Sequence, residues 1–397
     1  MRPMVTQLAQ LFFFCVPRFL PHPSQRKLGM NLMGYYKADL GLGEALRYMA
    51  KALAQSSIPF LIRQFSPTLR TRQGNHSLDA YVQAECSYMV NCIIINPDIL
   101  YRLPIWVSYA EWAKRYNIGH WFWELSDFPK EWRYALPLID EIWVNSDFNA
   151  QTMRQAHPRV TKIPFAIEFE MPGPQFTRSY FDLPQGGFLF LCSFDFHSSI
   201  YRKNPYATID AFLMAFANHP GAAWLVIKST HGDAYPQELA ALKAHAQNDP
   251  RIIFIDQEFT IEQLHGLLQC ADCYVSLHRA EGLGMGMAES MYLGKPVIAT
   301  AYSGNLEFMN SSNACLVDYQ LIDVGLGQYP HAQNQAWAQA DVETASCAMQ
   351  DMITKPAWRD SLAAQARQDM LERHSFKVMG NAIALRLAQI ERECASQ

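Results

Sequence analysis

The feature that most constrains this chain is an alternation of short apolar runs with helically spaced segments, which occurs in two series. In the first series, strand-like runs fall at residues 28–35, 58–62, 92–95, 118–123 and 141–145. A glycine turn is expected at Gly41 and Gly43, ahead of a helical stretch at 44–54. Residues 163–185 then carry Pro164, Pro172, Pro174 and Pro184 with little periodicity and read as a joint. The second series has strand-like runs at 188–194, 223–228, 252–255, 274–277 and 296–300, with helices expected at 207–217, 237–246, 261–269 and 286–293. Such alternation specifies an α/β chain with two Rossmann-like, doubly wound parallel sheets. Ligands of open α/β sheets bind at the carboxyl ends of the strands, so a cleft between two facing domains is expected. The expected division is an N-terminal extension at 1–26, a first domain at 27–170, a second at 171–375, and a terminal helix within 376–397 that crosses back to the first.

Composition fits this plan and excludes others. A chain of 397 residues, half of them hydrophobic, is long enough for two cores. Charged residues make up 18%, and the formal net charge is −4, which gives no electrostatic basis for nucleic acid as a partner. Nine scattered cysteines are an odd set without the look of a disulfide framework, and they point to a reducing, cytoplasmic setting. Cys270 and Cys273 form a Cys-x-x-Cys, but no second pair completes a metal site, and core packing is the expectation for both. The apolar run at 11–20 is broken by Pro17 and Arg18 and is far shorter than the roughly 20 residues that span a bilayer. It reads as an extension ahead of the first strand; the alternative is a shallow anchor giving peripheral contact with the inner membrane face.

The segment 276–308, SLHRAEGLGMGMAESMYLGKPVIATAYSGNLEF, carries the strongest chemical signal. It reads as strand, glycine-rich loop, helix, strand and loop. The helix opens near Gly284, so unpaired backbone N–H groups and the positive helix end offer a diphosphate site. Glu281 in the loop and Glu289 on the helix can accept hydrogen bonds from sugar hydroxyls at two ends of an elongated ligand. The ordinary alternative is a helix start with an acidic residue nearby and glycines for packing. In 192–212, Arg202 and Lys203 follow a strand and precede a helix, where cations suit a pyrophosphate leaving group. A solvated basic pair is the competing reading. Lys228 ends a strand and is placed to reach the same diphosphate. His278 is expected to be a satisfied structural histidine. His120 and Glu124 flank a Trp-rich strand and are candidates for contact with acceptor or donor sugar. Six of the nine tryptophans fall between Trp106 and Trp143, and most are expected in the core.

Together these segments resemble the family-four, or group-one, retaining glycosyltransferases of GT-B architecture. The resemblance is carried by the Glu-x7-Glu pattern of Glu281 and Glu289, by the Arg202–Lys203 pair, and by the loop NLMGYYKADLGLGEALR at 31–47. The stretches GHWFWELSDFPKEW at 119–132 and DEIWVNSDF at 140–148 look like bacterial members that build surface polysaccharides. The resemblance implies that Arg202 and Lys203 neutralise the departing diphosphate, Glu281 holds hydroxyls of the transferred sugar, and Glu289 holds the ribose. It further implies that backbone groups at Leu283, Gly284 and Met285 line the phosphates and sugar, and that Gly41 and Gly43 let a first-domain loop approach the donor. Gly286 and Met287 depart from the longer aliphatic residues expected there. The base-contact region is expected at 256–259. No Asp-x-Asp occurs, so neither metal nor cofactor is expected, and the nucleotide-diphosphate sugar is a co-substrate. The expected partners are that donor and a glycan or lipid-linked saccharide acceptor. A nucleotide-sugar epimerase or phosphorylase on the same fold, or a non-catalytic nucleotide-sugar-binding subunit, are the alternatives.

Overall fold

The computed structural model describes residues 26–38, 40–65, 72–217 and 223–395. The apolar run at 11–20, and with it the expected extension or anchor, lies outside the described residues. Among those described, no helix is long and apolar enough to cross a membrane.

The chain forms two compact units. The first contains six parallel strands: β1 (Met30–Gly34), β2 (Phe60–Gln64), β3 (Val90–Ile94), β4 (Tyr116–His120), β5 (Glu141–Val144) and β6 (Val160–Lys162). Their order is β2-β1-β3-β4-β5-β6. β1 and β3 are buried along their whole length, which explains why they carry apolar side chains at every position but Gly34 and the asparagines Asn31 and Asn91. Their register is pinned by a ladder of buried asparagines. Asn31 Nδ2 donates to Asn91 Oδ1 at 2.9 Å, and Asn91 Nδ2 donates to Asn117 Oδ1 at 2.8 Å. A slip of one residue would turn these amides to the opposite face and leave their partners unpaired. β4 ends at His120 rather than at residue 123: the Trp121 N–H still donates to the Trp143 carbonyl, but the two amides after it are taken by side chains, Phe122 N–H donating to Asn96 and Trp123 N–H to Asn149.

Gly41 and Gly43 do not form a turn. They lie in the first turn of α1 (Gly41–Ala54). A side chain at Gly43 would collide with the Ala38 and Tyr35 carbonyls, so this glycine lets the loop after β1 fold against its own helix. Of the tryptophans between Trp106 and Trp143, Trp112, Trp121, Trp123, Trp132 and Trp143 are buried, as core packing requires.

The second unit has a parallel sheet of β7 (Phe188–Asp195), β8 (Ala223–Thr230), β9 (Ile252–Asp256), β10 (Cys273–Ser276), β11 (Val297–Thr300) and β12 (Cys315–Val317), in the order β12-β11-β10-β7-β8-β9. After β9 the chain returns to the far side of β7, so the topological switch point lies between β7 and β10. Helices α3 (Pro205–Ala215), α4 (Pro236–His245), α5 (Ile261–Cys270) and α6 (Met285–Tyr292) follow the expected segments within one or two residues, with α2 (Asp147–Arg154) in the first unit. An antiparallel hairpin of β13 (Tyr319–Asp323) and β14 (Ala336–Ala340), and helices α7 (Val342–Thr354) and α8 (Pro356–Arg373), were not legible from periodicity.

Three boundaries differ from the expected division. The first unit ends at Ala166, because Phe165 stacks on His374 at 4.3 Å while Phe169 stacks on His265 at 3.6 Å in the second. His374 consequently joins the first unit, ahead of the C-terminal helix Phe376–Ala395. Residues 124–126 pack with the second unit.

Within the first unit, Arg386 of the C-terminal helix clamps the fully buried Glu141 of β5, with Nη2 2.7 Å from Oε2 and Nε 2.9 Å from Oε1. Tyr116 and Trp143 also donate to this carboxylate. Burial alone would raise the Glu141 carboxyl, but the Arg386 guanidinium and its other donors bring it below the ordinary range. The folded-state pKa is depressed, so the associated stability is present above the usual carboxylate range and is lost as pH falls through the lowered value. Arg386→Met should reduce the unfolding free energy by about 3 kcal/mol at neutral pH. Urea titrations should show this deficit narrowing in acid; a deficit unchanged by pH would remove Glu141 as its source.

Candidate functional site

The carboxyl ends of β7 and β10 meet at the switch point, and three of the charged side chains singled out in the sequence, Arg202, Lys203 and Glu281, converge there. β7 ends in Asp195, which caps a short turn by accepting from the His197 N–H at 2.9 Å. Ser199 then caps the helical turn Ile200–Lys203, which breaks at Asn204 in a left-handed conformation (φ 50°). Asn204 Nδ2 donates to the Leu277 carbonyl at 3.0 Å and so ties this turn to the end of β10. Arg202 and Lys203 are thereby held beside the loop that carries Glu281.

Glu281 is 6% exposed. Lys203 Nζ donates to its Oε1, and Arg202 Nη1 lies 3.1 Å from its Oε2. Burial by itself raises this carboxyl, but the charges of Lys203 and then Arg202 outweigh it and bring the pKa down to about 2. The loop is held from below: Ser303 Oγ accepts from the Glu281 N–H at 2.8 Å, and the Gly304 N–H donates to the Glu281 carbonyl at 2.9 Å. A side chain at Gly304 would strike the Gly282 backbone, which accounts for the glycine in Ser303–Gly304–Asn305. His278 is enclosed by Ser276, Tyr302 and Asn305 and is fully buried, the structural histidine that was expected.

The two cations differ in what they face. Arg202 is turned inward, with Nε donating to the Ser198 carbonyl at 3.1 Å, Nη1 to the Ala280 carbonyl at 2.8 Å, and Nη2 lying 3.9 Å from Glu124. Lys203 keeps 22% of its side chain exposed beside the same carboxylate. Sequence reasoning gave both cations one role, because adjacency in the chain does not reveal that they point in different directions.

α6 opens at Gly284, which adopts φ 94° and accepts from the Met287 and Ala288 N–H groups. The amides of Met285 and Gly286 lie in the first turn, where a helix offers no acceptor. Leu283 is buried beside them. The unexpected Gly286 has a local cause: a Cβ there would sit 2.8 Å from the Tyr274 hydroxyl, which is bonded to Ser193 Oγ at 3.0 Å. One turn further on, Glu289 is 3% exposed. Its carboxylate accepts no hydrogen bond among the described residues, and His265 Nε2 lies 3.6 Å from its Oε1. His265, stacked on Phe169, escaped the sequence reading because nothing in α5 distinguishes it from a core residue.

Lys228 does not join the Glu281 cluster. It is buried at the end of β8, donates to Thr230 Oγ1 at 2.7 Å, and lies over the Phe259 ring at 5.2 Å. Burial pushes its ammonium down to about 8, against the opposing charges of Asp195, Asp256 and Glu258. His120 belongs to the first unit, where Nε2 meets Asn145 Oδ1 at 2.8 Å and burial lowers its pKa to about 4. Its Nδ1 has no hydrogen-bond partner among the described residues. Cys270 and Cys273 each bond a backbone carbonyl, in keeping with packing. Among the described residues, one group combines metal-ligand side chains, Asp195, His197 and His231. His231 within it has Nδ1 2.9 Å from Asp195 and Nε2 2.9 Å from Glu258; burial lowers its pKa, but Asp195 and Glu258 outweigh that and raise it.

Residues 189–323 match the family model described as glycosyl transferases group 1. No curated protein matches the chain. Among solved structures, HepE of Anabaena in complex with UDP and glucose is similar over 91% of this chain and 100% of its own, with a TM-score of 0.62 and 15% identity. Sucrose-phosphate synthase from Thermosynechococcus elongatus is similar over 93% and 100%, with a TM-score of 0.64 and 15% identity. A glycosyltransferase from Rickettsia africae is similar over 93% and 99%, with a TM-score of 0.65 and 13% identity. At these identities the likeness establishes the fold, which is the GT-B pair of Rossmann-like units. The group 1 domain spans β7 to β13 and contains Arg202, Lys203, Glu281 and Glu289, and the protein is a glycosyltransferase.

Proposed function

We propose that the protein is a retaining, metal-independent transferase that moves a sugar from a nucleotide-diphosphate donor to a glycan or lipid-linked saccharide acceptor in bacterial surface-polysaccharide synthesis. The observation that carries this reading is the Lys203–Glu281–Arg202 cluster beside the N-terminus of α6. An ammonium with an open face next to first-turn amides suits a diphosphate. HepE has been solved with UDP and with UDP-glucose, which supports a nucleotide sugar as donor. The polysaccharide role rests on the resemblance of 119–132 and 140–148 to enzymes of that kind.

In this reading Lys203 neutralises the leaving diphosphate, and Arg202 is a positioning residue that fixes Glu281 from within. Glu281 receives hydroxyls of the transferred sugar. Glu289, a buried carboxylate with unfilled acceptor sites, receives the ribose hydroxyls, and His265 sets its orientation. Backbone amides around Gly284 and Met285 receive the phosphate oxygens. The bond from the sugar C1 to the β-phosphate oxygen breaks as a bond from C1 to the acceptor oxygen forms on the same face. The acceptor's proton passes to the leaving phosphate oxygen. Fixed positive charge does most at the moment negative charge builds on that oxygen.

Lys203→Ala should lower turnover at saturating donor by roughly 100-fold, with a much smaller effect on donor affinity. Lys203→Arg should restore little, since a planar fork cannot replace a point charge. Near-normal turnover in Lys203→Ala would reduce this lysine to a solvated helix-start residue.

Calorimetric titration with UDP and GDP should show binding that survives excess chelator. Loss of all binding in chelator would end the metal-independent reading.

The Lys228 ammonium is charged below pH 8 and loses its charge as pH rises through about 8. If it contacts the diphosphate, nucleotide affinity should decline from about pH 7 to about pH 9.5 in the parent, and Lys228→Ala should flatten that slope. Parallel slopes in the two proteins would place Lys228 outside the site.

A further inference from the structure

The hairpin β13–β14 interrupts the α/β alternation between β12 and α7. Its neck is closed by the Asp341 N–H, which donates to the Asp318 carbonyl at 2.8 Å. The excursion is anchored directly to the segments that build the charged cluster. The Ala338 N–H donates to the Arg279 carbonyl at 2.9 Å, and the Arg279 N–H donates to the Arg202 carbonyl at 2.8 Å. Arg279 also lies over the buried Trp337 ring and donates twice to Gln339 Oε1. At the tip, Ser199 Oγ donates to the Gln328 carbonyl at 2.8 Å. The next residue, Tyr329, places its ring 5.8 Å from the Arg202 guanidinium carbon and donates its hydroxyl to Glu124 Oε2 at 2.5 Å.

Glu124 is therefore a carboxylate in an unusual position. Its side chain is 21% exposed, it faces Arg202 only at 3.9 Å, and among the described residues the Tyr329 hydroxyl gives it its one hydrogen bond. An ionised carboxylate offers about four acceptor positions, so most of its capacity is unused by the protein. Arg202 lies between Glu124 and Glu281, and the two carboxylates flank one guanidinium. Desolvation, and then the Glu124 charge, hold the Tyr329 phenol well above its ordinary range, so it remains a neutral donor.

We propose that Tyr329 is a positioning residue that fixes Glu124, and that Glu124 so held accepts a hydroxyl of the transferred sugar, opposite Glu281. This rests on the reading of the site as one for a nucleotide-diphosphate sugar. The hairpin tip is then a determinant of sugar recognition rather than of nucleotide binding.

The test compares the affinities of UDP and UDP-glucose, and of GDP and GDP-mannose, for the full chain and for Tyr329→Phe, Glu124→Gln and the double variant. In the parent, one sugar conjugate should bind more tightly than its bare nucleotide. Tyr329→Phe keeps the ring over Arg202 and should leave bare-nucleotide affinity and melting temperature unchanged, while the gain from the sugar falls about tenfold. Glu124→Gln should lose at least as much, and the double variant should lose no more than Glu124→Gln alone. Tyr329→Phe with the parent's sugar discrimination, losses that multiply in the double variant, or a drop in bare-nucleotide affinity would each overturn the proposal. So would a parent that binds the conjugates no more tightly than the nucleotides. A parent that binds no nucleotide would overturn the functional reading itself.

Discussion

The second unit is organised around one buried carboxylate. Glu281 sits at 6% exposure, where an isolated charge would be strongly disfavoured, and it persists in ionised form because Lys203 and Arg202 are brought to it from the next strand of the sheet. The dependence runs both ways. Arg202 is itself buried and could not remain so without Glu281 and the carbonyls of Ser198 and Ala280. The turn after β7 and the loop after β10 are thus locked to each other by charge, with Asn204 as the hydrogen-bonded hinge between them. α6, with its open first-turn amides, and Ser303, which holds the Glu281 backbone, follow from the same arrangement.

This lock lies where parallel α/β sheets leave room for a ligand. The switch in strand order between β7 and β10 sends adjacent crossover connections to opposite faces of the sheet, and the gap between them cannot be filled by either. Charged groups gathered at such a gap keep their interactions in a medium less screening than bulk water. The first unit uses buried polarity differently. Its asparagine ladder and the Glu141–Arg386 clamp have their protein partners in place, and they set register and retain the C-terminal helix. The asparagine ladder and the Glu141–Arg386 clamp are satisfied within the protein, whereas Glu124 and Glu289 of the second unit keep unfilled acceptor positions, and that contrast separates architecture from chemistry.

The alternating runs at 188–194, 223–228, 252–255, 274–277 and 296–300 became β7 to β11 with boundaries moved by one or two residues. Strands buried on both faces write themselves as continuous apolar runs, so the parallel sheets were legible. β6 was not, because a three-residue edge strand of half-exposed side chains has no period to detect. The hairpin β13–β14 was missed because its strands alternate little and its loop is rich in glycine and glutamine. Within the site, Glu281, Glu289 and Lys203 could be found from local spacing, since each lies at a strand end or in the first turns of a helix. His265 and Tyr329 could not, since their significance comes only from neighbours distant in the chain: the Tyr329–Glu124 bond joins residues 205 positions apart.

By itself the sequence determined that this chain builds two parallel α/β sheets, that its second half ends a strand in a glycine loop opening a helix, and that carboxylates and cations gather at those strand ends. Periodicity and helix-start chemistry are local properties, and a single sequence displays them. Only the tertiary structure decided that Arg202 turns inward while Lys203 keeps an open face, that residues 124–126 pack with the second unit, and that a hairpin tip places a tyrosine against Glu124. The direction of a side chain and the identity of its distant partner are set when the sheet brings separate strand ends together, and no spacing along the chain encodes them.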